Sequence, residues 1–258
     1  MKNKKQKVIL FGPFVGELGW EILRFAPMLT YYKQNKYNIK QNIKYIVLTR
    51  QDRFDLYGKN ADILLPLNIE GDYDKFLPDC FKLSKYPIIE YQKIIKLFYN
   101  QYKDKYNIIN HIYPKIENRL FCNKRQFSQK KMIYEFDPRN DNKLLIEKYV
   151  QFDKKIIILS PRYRKNFKRN WKYWPKLFNL IYKDKFLMSE YQFVLCGKER
   201  EYIKDKKNRF FDINDIELNK NSSLIGLLLS LMDKAILTIG SQSAIPNLSL
   251  LKKTKVVE

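Results

Sequence analysis

Histidine is almost missing from this chain: His111 is the only one in 258 residues. A Ser-His-Asp or Cys-His nucleophile would have to use that single imidazole, and a His-rich metal site cannot be built. His111 sits in the apolar, strand-like run 107–113, where a half-buried structural histidine is ordinary. Cysteine is scarce as well. Cys80, Cys122 and Cys196 are odd in number and lack metal spacing, which argues against a disulfide framework and a zinc site and fits a reducing interior. No apolar run approaches a membrane span. Basic residues 1–7 precede only four apolar residues, 8–11, before Gly12 and Pro13; that is too short for a signal-peptide core and suits a first buried strand.

Acidic residues are the remaining deficit. Asp and Glu number 27 against 50 Lys and Arg, for a formal charge of +23. Such a charge attracts nucleic acid, anionic lipid or polyphosphate. The excess is Lys spread along the whole chain among many Asn, Ile and Tyr, a pattern that AT-rich codon usage also produces. Net charge therefore does not choose between an anionic partner and compositional bias.

What is present is a core. Hydrophobic residues make up 45% of the chain and aromatics 15%, enough for a folded interior and against disorder. The length allows one large domain or two ordinary ones. Strands are expected at 8–11, 43–49 and 61–65, with weaker candidates at 108–112 and 132–136. Helices are expected at 17–32, where Leu18, Ile22, Phe25, Leu29 and Tyr32 recur at helical spacing, and at 87–102. Residues 137–153, rich in Asn, Asp and Pro, mark a boundary. A second series follows: strands at 155–159, 191–196, 210–213, 235–239 and 255–257, and helices at 174–187, 222–232 and 244–251. Alternating strands and helices predict α/β domains with parallel sheets. The continuous apolar runs 156–159, 193–195 and 236–239 suit strands covered on both faces. The expected division is 1–150 and 151–258.

Three loops carry polar chemistry at strand ends, where open parallel sheets bind ligands. The first runs from Gly12 to Glu21. Gly12, Gly16 and Gly19 permit tight turns and close ligand approach, but their spacing is neither a dinucleotide fingerprint nor a Walker A loop. Glu17 and Glu21, four apart, share one helix face; they read either as a general base or as first-turn acids favoured by the helix dipole. The second loop, 160–171, places Arg162, Arg164, Lys165, Lys168 and Arg169 after the strongest strand. Guanidinium forks and ammonium groups there suit phosphate oxygens. The third is Gly240, Ser241, Gln242 and Ser243 ahead of a helix. Its serines can cap that helix, and the same exposed backbone N–H groups bind phosphate. Gly197, in the strand–Gly–helix turn 196–199, is a weaker candidate for contact with a base or ribose.

Together these segments resemble the GT-B glycosyltransferases, in particular the ADP-heptose:lipopolysaccharide heptosyltransferase (glycosyltransferase family 9) group. Glu21 stands six residues before Pro27, as an acidic residue does in that group's Gly-rich loop and first helix. Trp174-Pro175 matches a Trp-Pro that opens the first C-terminal-domain helix, with a basic loop just upstream. Residues 241–246 take the place of an Asp-Ser-Gly-x-x-His-type turn. The likeness spans both halves but not residues 71–153.

The resemblance implies two Rossmann-like parallel-sheet domains, an N-terminal acceptor domain and a C-terminal nucleotide-sugar donor domain. It implies an inverting, metal-independent transfer to a glycan or lipid-linked acceptor, with no cofactor. Glu21 takes the general-base role by position and Glu17 is the fallback. Arg162, Arg164, Lys165, Gly197 and the Gly240, Ser241, Gln242, Ser243 turn receive the donor. Ser241 or Gln242 replaces the group's Asp, Asn247 or a neighbour its His, and Glu replaces Asp at the base. The chain stops just after its last strand, so a shortened C-terminal domain is expected. A cytoplasmic protein touching anionic membrane peripherally fits the basic surface. Two rivals remain: a non-catalytic GT-B binding domain, and a basic nucleic-acid-binding protein, disfavoured because no nucleic-acid module is recognisable.

Overall fold

The computed structural model describes residues 5–14, 18–36, 42–67, 85–114, 134–151, 153–163, 170–197, 203–241 and 243–257. The chain divides into two compact units, Met1–Asp137 and Pro138–Glu258.

The first unit is a four-stranded parallel sheet of β1 (Lys7–Phe11), β2 (Lys44–Thr49), β3 (Ile63–Pro66) and β4 (Asn107–Ile112), in the order β3-β2-β1-β4. Residues 8–11 of β1 are wholly buried, as a central strand covered on both faces must be. On one face Val8, Leu10 and Ile46 pack with Phe98 from α3 (Lys85–Lys103). The helical stretch after β1 is not one regular helix. Short α1 (Leu18–Trp20) and α2 (Ala26–Tyr31) are separated by the wider π-helical segment Glu21–Phe25, and another, Tyr32–Lys36, follows α2. Glu21, Ile22 and Phe25 of that segment are all buried. The Phe25 ring lies 4.4 Å from Phe11 and 5.2 Å from Phe14.

The second unit is a five-stranded parallel sheet. Its strands are β5 (Lys155–Ser160), β6 (Tyr191–Leu195), β7 (Phe211–Asp212), β8 (Ala235–Gly240) and β9 (Lys255–Val257), ordered β7-β6-β5-β8-β9. Before it comes α4 (Asn140–Glu147), and its crossovers hold α5 (Trp174–Lys183), α6 (Lys185–Glu190), α7 (Leu224–Met232) and α8 (Ala244–Leu251). Ile157, Leu159, Phe193 and Leu195 of the sheet bury against Trp174, Phe178 and Ile181 of α5, joined by Phe210. Every residue of α7 from Ile225 to Met232 is buried.

Several expectations shift for local reasons. The division falls at Asp137, inside the expected boundary segment 137–153 but ahead of the cut at 150, so that α4, which packs on α7, lies in the second unit. The buried Asn142 side chain accepts from Ser223 N at 2.9 Å and lies against Gly226, where a Cβ would collide with it. The helix expected over 174–187 is two helices, since Asp184 leaves helical geometry and its carboxylate caps α6 at Leu187 N, 3.0 Å away. The strand expected at 210–213 is only two residues long. The Asp212 carboxylate accepts from Asn214 N at 2.9 Å and turns the chain into the 3-10 turn Ile213–Asp215. In the run 132–136, residues 134–136 form no strand; Tyr134 instead donates its hydroxyl to Leu23 O at 3.0 Å.

Candidate functional site

Both sheets reverse strand order beside their first strand, between β1 and β4 and between β5 and β8. Crevices at such switch points, beyond the strands' carboxyl ends, are the usual ligand sites of open α/β sheets. The two crevices differ.

In the first unit, protein groups occupy the crevice. Gly12, at φ +94°, donates its N–H to Ile112 O at 2.8 Å. The imidazole of His111 donates through Nε2 to Gly12 O at 2.8 Å. The buried Tyr91 hydroxyl lies 3.0 Å from Pro13 O and 3.1 Å from Pro114 O. Burial pulls the His111 pKa below the ordinary imidazole value, against the opposing pull of the Gly12 carbonyl, so the ring is neutral near pH 7. A side chain at Gly12 would collide with the Leu48 carbonyl.

Glu21, like Asp55, is a wholly enclosed carboxylate of this unit. It has no exposed surface. Its carboxylate pairs with Arg53 Nη1 and accepts from Tyr57 Oη at 2.6 Å and Thr49 Oγ1 at 3.2 Å. Thr49 ends β2, Arg53 lies on the 3-10 turn Gln51–Leu56, and Tyr57 follows it. Desolvation, then the neighbouring Glu21 charge, raises the Tyr57 pKa well above the usual phenol value; the phenol stays protonated and donates. Sealed from solvent with both oxygens engaged, Glu21 anchors the π-helical segment to the end of β2. The general-base role expected of Glu21 requires at least one of these bonds to open. Glu17 lies outside the described residues.

In the second unit, the crevice gathers two of the expected loops. Ser160 and Gly240 are paired at the ends of β5 and β8, and Ser241 N donates to Ser160 O at 3.3 Å. A Cβ on Gly240 would come within 2.8 Å of Pro246 Cγ and 3.0 Å of Ser160 Cβ, so this glycine serves close packing of the turn. Arg162 lies two residues beyond Ser160, half-buried. The first residue of α5 reaches the same turn through its side chain, with Trp174 Nε1 3.4 Å from Ser241 Oγ. The N-terminus of α8 opens directly from the turn at Ser243.

How these helices begin is informative. In the crossovers of this sheet, α6 and α7 are capped by their own sequence: Asp184 accepts from Leu187 N, and Ser223 accepts from Gly226 N at 3.0 Å. Neither α5 nor α8 has a side-chain cap. Ser243 occupies the cap position of α8 without bonding, and Ser241 faces Trp174; neither supplies the cap that the sequence suggested. First-turn N–H groups have no intrahelical acceptor, and they carry the positive end of the helix dipole. Less the N–H that Pro175 and Pro246 lack, these ends, with Arg162 two residues past β5, are the candidate anion site of this unit.

Arg164, Lys165 and Gln242 lie outside the described residues. Gly197 is buried at the end of β6 with its carbonyl taken by Asn214 Nδ2 at 3.2 Å. Beside it, Cys196 is buried, and desolvation followed by the Asp212 charge raises its thiol pKa well above normal. Residues the sequence reasoning passed over are Arg53, Tyr57 and Thr49 around Glu21, and the Trp174 indole at the turn. Only the position of Thr49 at a strand's carboxyl end could have flagged the former group.

No protein-family profile matches the chain, and no curated protein matches it by sequence. Solved structures do match in fold. A glycosyl transferase family 9 protein from Veillonella parvula shares 11% identity at a TM-score of 0.58, with 99% of this chain and 80% of that one covered. For the E. coli ADP-heptose lipopolysaccharide heptosyltransferase II the values are 9%, 0.52, 97% and 83%. For E. coli heptosyltransferase WaaC, solved with ADP-2-deoxy-2-fluoro heptose, they are 14%, 0.51, 97% and 87%. The chain therefore has the two-sheet α/β fold of the GT-B heptosyltransferases, as its motifs suggested. At such identities the likeness defines fold, and activity has to be argued from the site.

Proposed function

We propose that the chain is a GT-B glycosyltransferase whose second unit holds the diphosphate of a nucleotide-sugar at the β5/β8 switch point. One observation carries the reading: α8 opens uncapped from the Ser241 turn, and the Trp174 indole of the likewise uncapped α5 reaches Ser241 Oγ of that turn at 3.4 Å. Fixed donors at that spot lower the energy of negative charge as it gathers on a departing diphosphate. The fold neighbour WaaC has been solved with ADP and with an ADP-sugar analogue, which supports the same ligand class here. Arg164, Lys165 and Gln242, on the same loops in sequence, complete the proposed donor set.

In the proposed reaction an acceptor hydroxyl gives its proton to a carboxylate base, and its oxygen bonds to the anomeric carbon. The bond from that carbon to the diphosphate oxygen breaks, the nucleoside diphosphate leaves, and the anomeric configuration inverts. Helix ends and cations supply the charge stabilisation, so no metal is required. Because Glu21 is engaged by three donors, Glu17 is the carboxylate we assign as base. The acceptor is a glycan or lipid-linked glycan. No helix among the described residues is long and apolar enough to cross a membrane; cytoplasmic placement with peripheral contact to anionic lipid suits the +23 charge.

A thermal-shift screen with ADP-, GDP-, UDP- and CMP-linked sugars tests the donor site, since a ligand bound only by the native state raises Tm. Arg162→Ala should shrink the shift; an unchanged shift dismisses the site. Glu17→Gln should abolish transfer while keeping nucleotide binding. The engagement of Glu21 favours a second reading, a GT-B domain that binds without turnover. Binding with no transfer to any glycan acceptor in the wild-type chain would select it.

A further inference from the structure

The loop from β5 to α5 carries three half-exposed aromatic rings on its described arms: Tyr163, Trp171 and Tyr173, at 50%, 44% and 49% exposure. Single exposed aromatics are unremarkable on a protein surface. These are not isolated. The Trp171 ring stands edge-on to Trp174, centroids 5.3 Å apart at 86°, and 5.9 Å from Tyr173. Trp174 is itself buried, with its indole N–H at Ser241. Trp171 is thus one ring removed from the candidate anion site, held by a neighbour that cannot move without disturbing that site.

Resting on the diphosphate reading above, we propose that Trp171 is a specificity-determining platform that stacks on a sugar ring bonded directly to the bound diphosphate. The chemistry is that of a flat indole face against the weakly polar C–H face of a sugar, with the hydroxyls left free at the rim. A planar aromatic side chain gives such contact area at small conformational cost. A diphosphate in a nucleotide-sugar carries two sugar rings, ribose on one side and the transferred sugar on the other. Either ring has this chemistry, and the two are separable by experiment.

The measurement is binding by titration calorimetry, paired with tryptophan fluorescence, for the wild-type chain, Trp171→Ala and Trp171→Phe. The probes are inorganic pyrophosphate, then ADP, UDP and GDP, then ADP-glucose, UDP-glucose and GDP-mannose. The expected result is a loss of about tenfold or more in Trp171→Ala for sugar-bearing probes, the scale seen when aromatic stacking on a ring is removed. Pyrophosphate binding stays unchanged, and Trp171→Phe recovers most of the loss. A loss confined to the nucleotide-sugars assigns the platform to the transferred sugar; a loss already present for the nucleoside diphosphates assigns it to ribose if ribose 5-phosphate, which carries no base, shows it too, and otherwise places a base on the ring and overturns the proposal. Sugar-bearing probes quench wild-type emission more than pyrophosphate does, and Trp171→Phe loses that difference while Trp174 at the turn still responds to both. Equal binding of all probes by Trp171→Ala overturns the proposal, as does an equal loss for pyrophosphate, which would mean a damaged anion site. If the wild-type chain binds none of the probes, the diphosphate reading itself has failed, and this inference falls with it.

Discussion

Replacing Glu21 with Gln probes a wholly buried charge of the first unit. The substitution keeps the shape of the side chain but removes the carboxylate charge that pairs with Arg53 Nη1, a guanidinium only 3% exposed. It also weakens the acceptor for the Tyr57 hydroxyl, which sits 2.6 Å away. Removing one partner of a buried ion pair costs about 3–5 kcal/mol, most of it the penalty of the stranded charge. At about 2–4 °C per kcal/mol for a chain of this size, Tm should fall by roughly 10 °C. Urea unfolding followed by circular dichroism should show a lower midpoint with little change in slope. In a double-mutant cycle with Arg53→Met, the loss in Glu21→Gln/Arg53→Met should be smaller than the sum of the two single losses, the sign of a coupled pair. Donor binding in the second unit should persist at temperatures where the variant is folded. A Glu21→Gln midpoint within error of wild type would refute the anchoring role. It would return Glu21 to consideration as a base.

Other expectations are smaller in scope. His111 has its pKa lowered by burial against the Gly12 carbonyl's opposing pull, so the native state prefers the neutral ring. Its contribution is intact above the unfolded pKa of about 6.5 and fades as pH falls below it; His111→Phe should flatten the stability profile there, and an unchanged slope contradicts the assignment. Gly12→Ala meets the Leu48 carbonyl at a φ of +94°. It should destabilise the chain by more than the ~1 kcal/mol of an ordinary Gly-to-Ala change, read by the same urea titration. Tyr57 and Tyr91 are held protonated chiefly by burial. Their contribution is full below about pH 10 and lost above it, so unfolding and tyrosinate absorbance at 295 nm (a wavelength of about that value) should appear together on alkaline titration.

The order of strands and helices was legible because each central strand is a continuous apolar run and each crossover keeps a helical period. The start of α5 at Trp174-Pro175 and of α8 at Ala244 could be read directly, since Pro in a first turn and a small polar residue before a helix are local signals. Glu21 was legible as a loop-and-helix carboxylate, but its burial was not. That depends on Arg53 and Tyr57, 32 and 36 residues away, and on a π-helical segment that turns it inward. Nothing in the run 174–187 shows the chain restarting a helix at Asp184 until the carboxylate is seen capping Leu187. Ser243 reads as a cap by type and position, yet its side chain makes no such bond. That gap between local rule and structure falls at the proposed site, where departures from local preference are to be expected.

The central claim is that the Ser241 turn at the ends of β5 and β8 holds phosphoryl groups with Arg162. Titrating the chain with nucleotide-sugars by calorimetry, then repeating with Arg162→Glu, tests it most directly. At least one nucleotide-sugar should bind, inorganic pyrophosphate should displace it, and a carboxylate in place of that guanidinium should abolish the heat by repulsion. Binding that survives Arg162→Glu undiminished would contradict the claim.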